Sequence, residues 1–284
     1  MDGTAQKPRA LVVLDLDGTT LTRGATELTA RVSATLMRSH AQGCAVAIAT
    51  GRTDSIIPPA VRTLPFLDYL ITSNGARVAD CRSGACLFRG ELAGEAVLDL
   101  IATQRPLGAV FNLFLQGRIL LEEGVVTYML DEARDARRSQ GEFKRSEGRE
   151  VVSDLGRLIA PGTSGIEKLG CTYPTESALC AALPALERRG DIEAVWVQGR
   201  EIEVTAAGVH KGATLARLMA LLDLPRERIL AFGDSNNDLS MASVARLVAM
   251  GNAGPALKAA AHAVTASVEE DGVALYLERW LAGF

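Results

Sequence analysis

Residues 10–21 read ALVVLDLDGTTL. The opening ALVVL is wholly apolar, with two β-branched valines and no alternation with polar residues. That is the composition of a strand buried on both faces, as in a parallel sheet. Asp15 and Asp17 follow at positions i and i+2, and Gly18 ends the run. In open α/β sheets ligands bind outside the carboxyl ends of the strands, so two acids at that end are candidate functional groups. Aspartate beside glycine also ends strands through simple Asx turns, and this motif alone leaves both readings open.

The same grammar repeats downstream. Thr26 is placed to cap a helix reaching Gln42, and Gly43 suits the left-handed position after it. CAVAIAT (44–50) is a second buried strand, ending in Thr50-Gly51-Arg52. A hydroxyl and main-chain N–H groups at such a turn can hold phosphate oxygens. Residues 69–72 form a third strand, closed by Ser73-Asn74-Gly75. Strands alternating with helices predict a parallel α/β sheet.

From residue 77 the pattern changes to α+β. Hairpins are predicted around Arg82-Ser83-Gly84, Gln116-Gly117 and Gln198-Gly199-Arg200. Helices are expected over 91–104, 126–138 and 174–189, a strand over 166–172 and a polar loop over 139–150. The parallel pattern then resumes, with a helix over 212–222, a strand over 228–232, a helix opening at Asp238, a strand over 245–250 and helices over 255–263 and 273–281. The expected organisation is a Rossmann-like core of residues 1–81 and 205–284 interrupted by an α+β module of residues 82–204.

A second acidic cluster, Gly233-Asp234-Ser235-Asn236-Asn237-Asp238, follows the apolar run RILAF. Asp238 reads as an ordinary N-cap. Asp234, at a strand tip, is different: acids at the tips of two buried strands repel unless a cation lies between them. Carboxylate oxygens are the ligands of Mg²⁺, and the lack of histidine and cysteine beside them argues against zinc. Lys211 falls where a strand gives way to a helix. A helix N-terminus is the wrong end for a cation, so a lysine there points to an anionic partner, although a single lysine is more simply a surface residue.

Composition narrows the function. The 284 residues are 48% apolar and 23% charged, with 30 Lys+Arg against 34 Asp+Glu and a formal charge of −4. That balance excludes non-specific attraction to nucleic acid or anionic membranes but allows a local site for a small anion. Five cysteines with no C-x-x-C pair predict reduced thiols and a cytoplasmic protein. The apolar run at the N-terminus is too short for a signal-peptide core, and no stretch reaches the roughly 18 apolar residues of a membrane span. Oligomeric state is not encoded in any of these features.

The ordered set DLDGTTL (15–21), ATGR (49–52), SNGA (73–76), HKG (210–212), GDSNNDLSM (233–241) and AMGNA (249–253), with the tail VTASVEEDGVALYLE (264–278), resembles the haloacid dehalogenase (HAD) superfamily phosphatases of the Cof type, whose inserted cap is class IIB. The resemblance spans the core, and the module between Asn74 and Lys211 matches the cap in position and size. It implies a HAD fold and a Mg²⁺-dependent phosphohydrolase acting on a small phosphorylated metabolite, most simply a sugar phosphate. Asp15 becomes the nucleophile and Asp17 the acid and base. Thr50 and Lys211 hold the transferring phosphoryl group, with Gly51, Arg52, Asn74 and Asn237 as further phosphate-binding positions. The implied metal set is Asp15, Asp17 through its main-chain carbonyl, Asp234 and Asp238. A sugar phosphomutase and a non-catalytic phosphometabolite-binding protein are the alternatives. The intact acids and lysine count against the second. In the cap, Arg118, Tyr173, Trp196 and Arg200 lie near predicted strand ends, where packing roles are the simpler reading.

Overall fold

The computed structural model describes residues 7–132 and 149–283. The chain forms two compact units. The first comprises Met1–Gly51, Ile57–Phe88 and Lys211–Phe284, and the second Arg52–Ile56 and Arg89–His210. The sequence places the boundaries at 82 and 204. By compactness the first boundary falls after Phe88, because the hairpin after residue 77 hydrogen-bonds to the sheet of the first unit, and the second falls after His210.

In the first unit, strands β1 (Ala10–Leu14), β2 (Cys44–Ala49), β3 (Tyr69–Thr72), β12 (Ile229–Gly233), β13 (Arg246–Ala249) and β14 (Ala263–Val264) pair in parallel in the order β14-β13-β12-β1-β2-β3. The hairpin strands β4 (Arg77–Asp80) and β5 (Cys86–Arg89) extend the sheet past β3, to which β4 is antiparallel. Alternate residues of β1 serve opposite faces. Leu11 and Val13 join a core with Leu215 and Leu218 of helix α6 (Lys211–Leu222). Ala10, Val12 and Leu14 join one with Val32 and Leu36 of α1 (Ala30–Ala41) and Val273, Ala274 and Leu277 of α8 (Gly272–Ala282). This is the reason the strand carries no polar residue before Asp15.

The second unit holds the antiparallel strands β10 (Ile192–Gln198), β11 (Glu201–Ala206), β9 (Ile166–Thr172), β6 (Val110–Leu115) and β7 (Arg118–Glu122), in that order, with β8 (Arg149–Val152) parallel to β7. Helices α3 (Gly94–Gln104) and α5 (Glu176–Glu187) cover one face through Val97, Leu100, Ile101, Leu179, Ala182 and Leu186. On the opposite face Val125 and Val126 of α4 (Glu123–Glu132) pack over Phe114, Ile119 and Leu121.

Several local expectations are corrected. Helix α1 is capped by Thr29, whose hydroxyl accepts from the Val32 N–H at 3.2 Å, and not by Thr26. Arg149 and Glu150 belong to β8, which the polar composition of 139–150 concealed. The rest of that loop, and the end of the helix expected over 126–138, lie outside the described residues. Tyr173 is buried and donates to Gln104 at 2.9 Å, Arg118 pairs with Glu150, Trp196 bonds the Gly199 carbonyl, and Arg200 lies over the Tyr128 ring. No helix among the described residues is long and apolar enough to cross a membrane.

One buried acid organises a corner of the second unit. Glu122 accepts from Arg105 at 2.7 Å and from the main-chain N–H groups of Phe111 and Leu155 at 3.1 and 3.0 Å. Glu122→Ala strands two buried N–H groups and leaves the partly exposed Arg105 guanidinium with Asp154, 3.2 Å away, as its carboxylate partner. A loss of about 2–4 kcal/mol in chemical denaturation is expected, and a change below about 0.5 kcal/mol contradicts this role.

Candidate active site

The ladder of β1 continues one residue beyond the strand, where the Asp15 N–H donates to the Phe232 carbonyl of β12 at 3.0 Å. The carboxylate of Asp15 therefore starts from a rigid tip beside the tip of β12. The chain then turns sharply, with Gly18 N–H bonded to the Leu21 carbonyl at 2.9 Å. Gly18 has φ +80°, and a Cβ there would lie 2.4 Å from Asp234 Oδ2. Both conformation and space demand glycine. Thr19 donates to Asp234 Oδ1 at 2.8 Å. The D-x-D-G-T segment thus fixes the second acid as well as presenting the first. Thr19 has no role in the sequence reading, and its only signal is its place after Gly18.

Strand β12 ends at Gly233, where a Cβ would lie 2.5 Å from Asp238 Cγ. The following 3₁₀ segment, Asn236–Ser243, is capped by Ser235. Asp238 is the third residue of a capping box rather than the cap itself. Its Oδ2 accepts from the N–H groups of Asp234 and Ser235 at 3.0 and 3.1 Å.

Lys211, the first residue of α6, is fully buried. Its Nζ donates to Asp15 Oδ1 at 2.5 Å and to Asp238 Oδ1 at 2.7 Å. The helix begins this close to the loop because residue 212 is glycine: a Cβ there would lie 2.1 Å from the Ser240 carbonyl oxygen. One ammonium thus ties β1, α6 and the loop after β12 together.

The electrostatics follow from burial. Burial alone pushes the Lys211 pKa down, but the carboxylates of Asp15 and Asp238 outweigh it and hold the ammonium above its ordinary value. Burial raises the Asp15 carboxyl well above its usual range; Lys211 opposes this, and Asp238 and Asp234 add to it. Asp234 is pushed up to about 6, chiefly by burial, against the bond from Thr19. Asp15, Asp234 and Asp238 each present an oxygen within 4.8 Å of the others. Three clustered carboxylates against one ammonium leave an excess of negative charge that a divalent cation would relieve. The donor set is all oxygen, as Mg²⁺ requires.

The remaining sequence-predicted positions divide. Thr50 is buried at the tip of β2, where its carbonyl accepts from the Asn74 N–H at 3.1 Å. Asn74, at φ +57°, accepts from Asn237 Nδ2 at 3.0 Å, and Asn237 Oδ1 accepts from Ser235 at 2.7 Å. These links join Thr50, Asn74 and Asn237 to the loop that carries Asp234 and Asp238. Gly51 is the last residue of this run within the first unit. Arg52 belongs to the second unit, and its guanidinium donates to the Ile56 carbonyl at 2.9 Å. Asp17 is exposed, and its carboxylate is not part of the buried cluster.

Replacing Lys211 tests this balance. In Lys211→Met the facing carboxylates of Asp15 and Asp238 lose their cation, and the Asp15 pKa, already raised by burial, loses the neighbour that holds it down and rises further above its unfolded value. A carboxyl raised on folding takes up a proton, so the penalty is full above the folded pKa and shrinks as pH falls toward the unfolded value. Chemical denaturation is expected to show a loss of about 3–5 kcal/mol at pH 8 and a clearly smaller loss at pH 5. An equal or larger loss at pH 5 contradicts the arrangement.

Comparison with known proteins agrees with this geometry. The family model for haloacid dehalogenase-like hydrolases matches residues 12–277. The chain is 31% identical over 280 residues to the HMP-PP phosphatase of Yersinia enterocolitica, covering 96% of this chain and 95% of that one. It is 26% identical to the 5-amino-6-(5-phospho-D-ribitylamino)uracil phosphatase YitU of Bacillus subtilis, covering 96% and 97%. Its fold is shared with the HAD subclass IIB sugar phosphatase BT4131 at a TM-score of 0.78 and 23% identity, covering 95% and 98%. The chain belongs to the haloacid dehalogenase-like hydrolases and is an enzyme of their phosphatase branch.

Proposed function

We propose that the protein hydrolyses phosphate monoesters of small metabolites, sugar phosphates among them, in the cytoplasm, with Mg²⁺ as cofactor and a phosphoryl group carried transiently on Asp15. The observation that carries this reading is the buried Lys211 ammonium bonded to Asp15 and Asp238 beside Asp234. The cation would be held by Asp15, Asp234 and the main-chain carbonyl of Asp17. Asp238 has both oxygens engaged by Lys211 and loop N–H groups, so it serves by positioning the others. When bound, Mg²⁺ supplies positive charge beside the nucleophile and the phosphoryl oxygens.

The chain's own groups then account for each proton and bond. A carboxylate oxygen of Asp15 attacks phosphorus, and the bond from phosphorus to the ester oxygen breaks. Asp17, whose exposed carboxyl can exchange protons with solvent, protonates the departing oxygen. In the second half Asp17 takes a proton from water as that water attacks the phosphorus of the acyl phosphate, releasing phosphate and restoring Asp15. Lys211 and the Thr50 hydroxyl stabilise the transferring oxygens. Gly51, Asn74 and Asn237 line the phosphate position. Relatives named for HMP-PP and a ribitylaminouracil phosphate support a small phosphorylated metabolite as substrate.

Phosphate release from a panel of sugar phosphates, nucleotides and an aryl phosphate tests the reading. Asp15→Asn is expected to lose about a thousandfold or more in kcat. Asp17→Asn is expected to lose about 10²–10⁴-fold in turnover, and on an aryl ester, whose leaving oxygen needs no proton, to show a fast burst of aryl alcohol ahead of the slowed second half. Chelation is expected to stop turnover and added Mg²⁺ to restore it. Near-wild-type turnover in Asp15→Asn, or full activity under chelation, contradicts the proposal.

A further inference from the structure

AMGNA (249–253) and the tail after it have no role in the proposed chemistry, yet one side chain there reaches the turn that carries Asp17. Asn252 Nδ2 donates to the Gly18 carbonyl at 2.8 Å, and Asn252 Oδ1 accepts from the Val268 N–H at 2.9 Å. The amide cannot be turned over, because its oxygen would then face a carbonyl and its NH₂ an N–H. All three residues belong to the first unit.

Asn252 stands on a well-held segment. Just past β13, the Met250 N–H donates to the Gly233 carbonyl and the Gly251 N–H to the Ala266 carbonyl, both at 2.9 Å. Lys258 Nζ donates to the Gly251 carbonyl at 2.6 Å. A Cβ on Gly251 would lie 2.7 Å from the Ser267 nitrogen, so glycine lets the two segments meet. Val268 opens a 3₁₀ turn, Val268–Glu270, capped by a box between Ser267 and Glu270. Its N–H is one of the donors that a helix start leaves open, and Asn252 fills it.

The Gly18 end needs such a hold. Crowding by Asp234 demands glycine at 18, and glycine has the most backbone freedom of any residue. Rotation about the Gly18 backbone would swing Asp17 against the rest of the loop. The Gly18 N–H is fixed within the turn by the Leu21 carbonyl, and the Thr19 hydroxyl by Asp234. The Gly18 carbonyl is fixed from outside the turn, by Asn252. Asn252 is exposed, so its bonds add little to stability. Its leverage lies in rate, because a displacement of about 1 Å in a reacting group can cost about 10²-fold.

We propose that Asn252 is a positioning residue for Asp17: by pinning the Gly18 carbonyl to the segment that ends at Val268, it keeps the acid–base carboxyl where the leaving oxygen and the attacking water need it. The inference rests on the phosphatase reading and gives the AMGNA stretch a part in both half-reactions.

Two variants test it. Asn252→Asp keeps an acceptor for the Val268 N–H and loses the donor to Gly18; Asn252→Ala loses both. On the ester that the wild-type enzyme turns over fastest, each is expected to lower kcat about tenfold or more, with a melting temperature that falls by no more than about 4 °C. The decisive readout is the same pair of changes made in Asp17→Asn. There each is expected to cost less than about twofold further, because the carboxyl being positioned is gone. A merely structural role lowers kcat by the same factor in both backgrounds, and that result overturns the inference. So does wild-type kcat in Asn252→Asp, or failure of Asn252→Asp to fold, since that variant retains the tail contact. No phosphate release from any ester by the wild-type protein, or full activity in Asp15→Asn, overturns the phosphatase reading and this inference with it. Asp15-dependent turnover that Asn252→Asp leaves intact overturns this inference alone.

Discussion

A single buried ammonium organises the first unit. Lys211 lies between Asp15 and Asp238, and all three are buried, so bulk solvent screens their charges little. Alone, each of the three would be costly to bury; together they fix the relative places of β1, the start of α6 and the loop after β12. Lys211 stands at the unfavourable end of a helix dipole, and the two carboxylates offset that cost. The same charges bias the site toward function. The ammonium keeps Asp15 oriented while a third acid, Asp234, keeps the cluster short of positive charge.

Close approach depends on the absence of side chains. Gly18 admits Asp234, Gly233 admits Asp238, and Gly212 admits the loop that carries Ser240. An alanine at any of these would displace a carboxylate or a helix start. The parallel sheet supplies the remaining constraint. Its strands are apolar on both faces because helices cover both, so polar residues can appear only at the tips, and adjacent tips are where Asp15, Thr50 and Asp234 lie.

That logic explains how much of the molecule was legible in the sequence. Strands β1, β2, β3 and β12 are unbroken apolar runs ending in Asp, Thr or Gly, and such runs are readable without alignment. Helix boundaries are less so: Thr26 and Thr29 both satisfy the cap preference, and only packing chooses Thr29. Asp238 looks like a cap because it opens a helical pattern, yet its carboxylate is drawn inward by Lys211, a residue 27 positions earlier. Arg52 follows Thr50-Gly51 directly, but the chain leaves the first unit at that point. Strand β8 is too polar to announce itself, and the two-residue β14 too short. Asn252 gave no signal beyond its place in AMGNA, because its partners Gly18 and Val268 lie 234 and 16 positions away.

The central claim is that the Asp15 carboxylate, held by Lys211, forms a bond to phosphorus during turnover. Rapid acid quenching of the enzyme during steady hydrolysis of an ester, followed by peptide mass spectrometry, tests it most directly. The account predicts a phosphoryl group on the peptide that carries Asp15 and on no other. Turnover with no phosphorylated peptide at any quench time, or a phosphoryl group on a different residue, would contradict it.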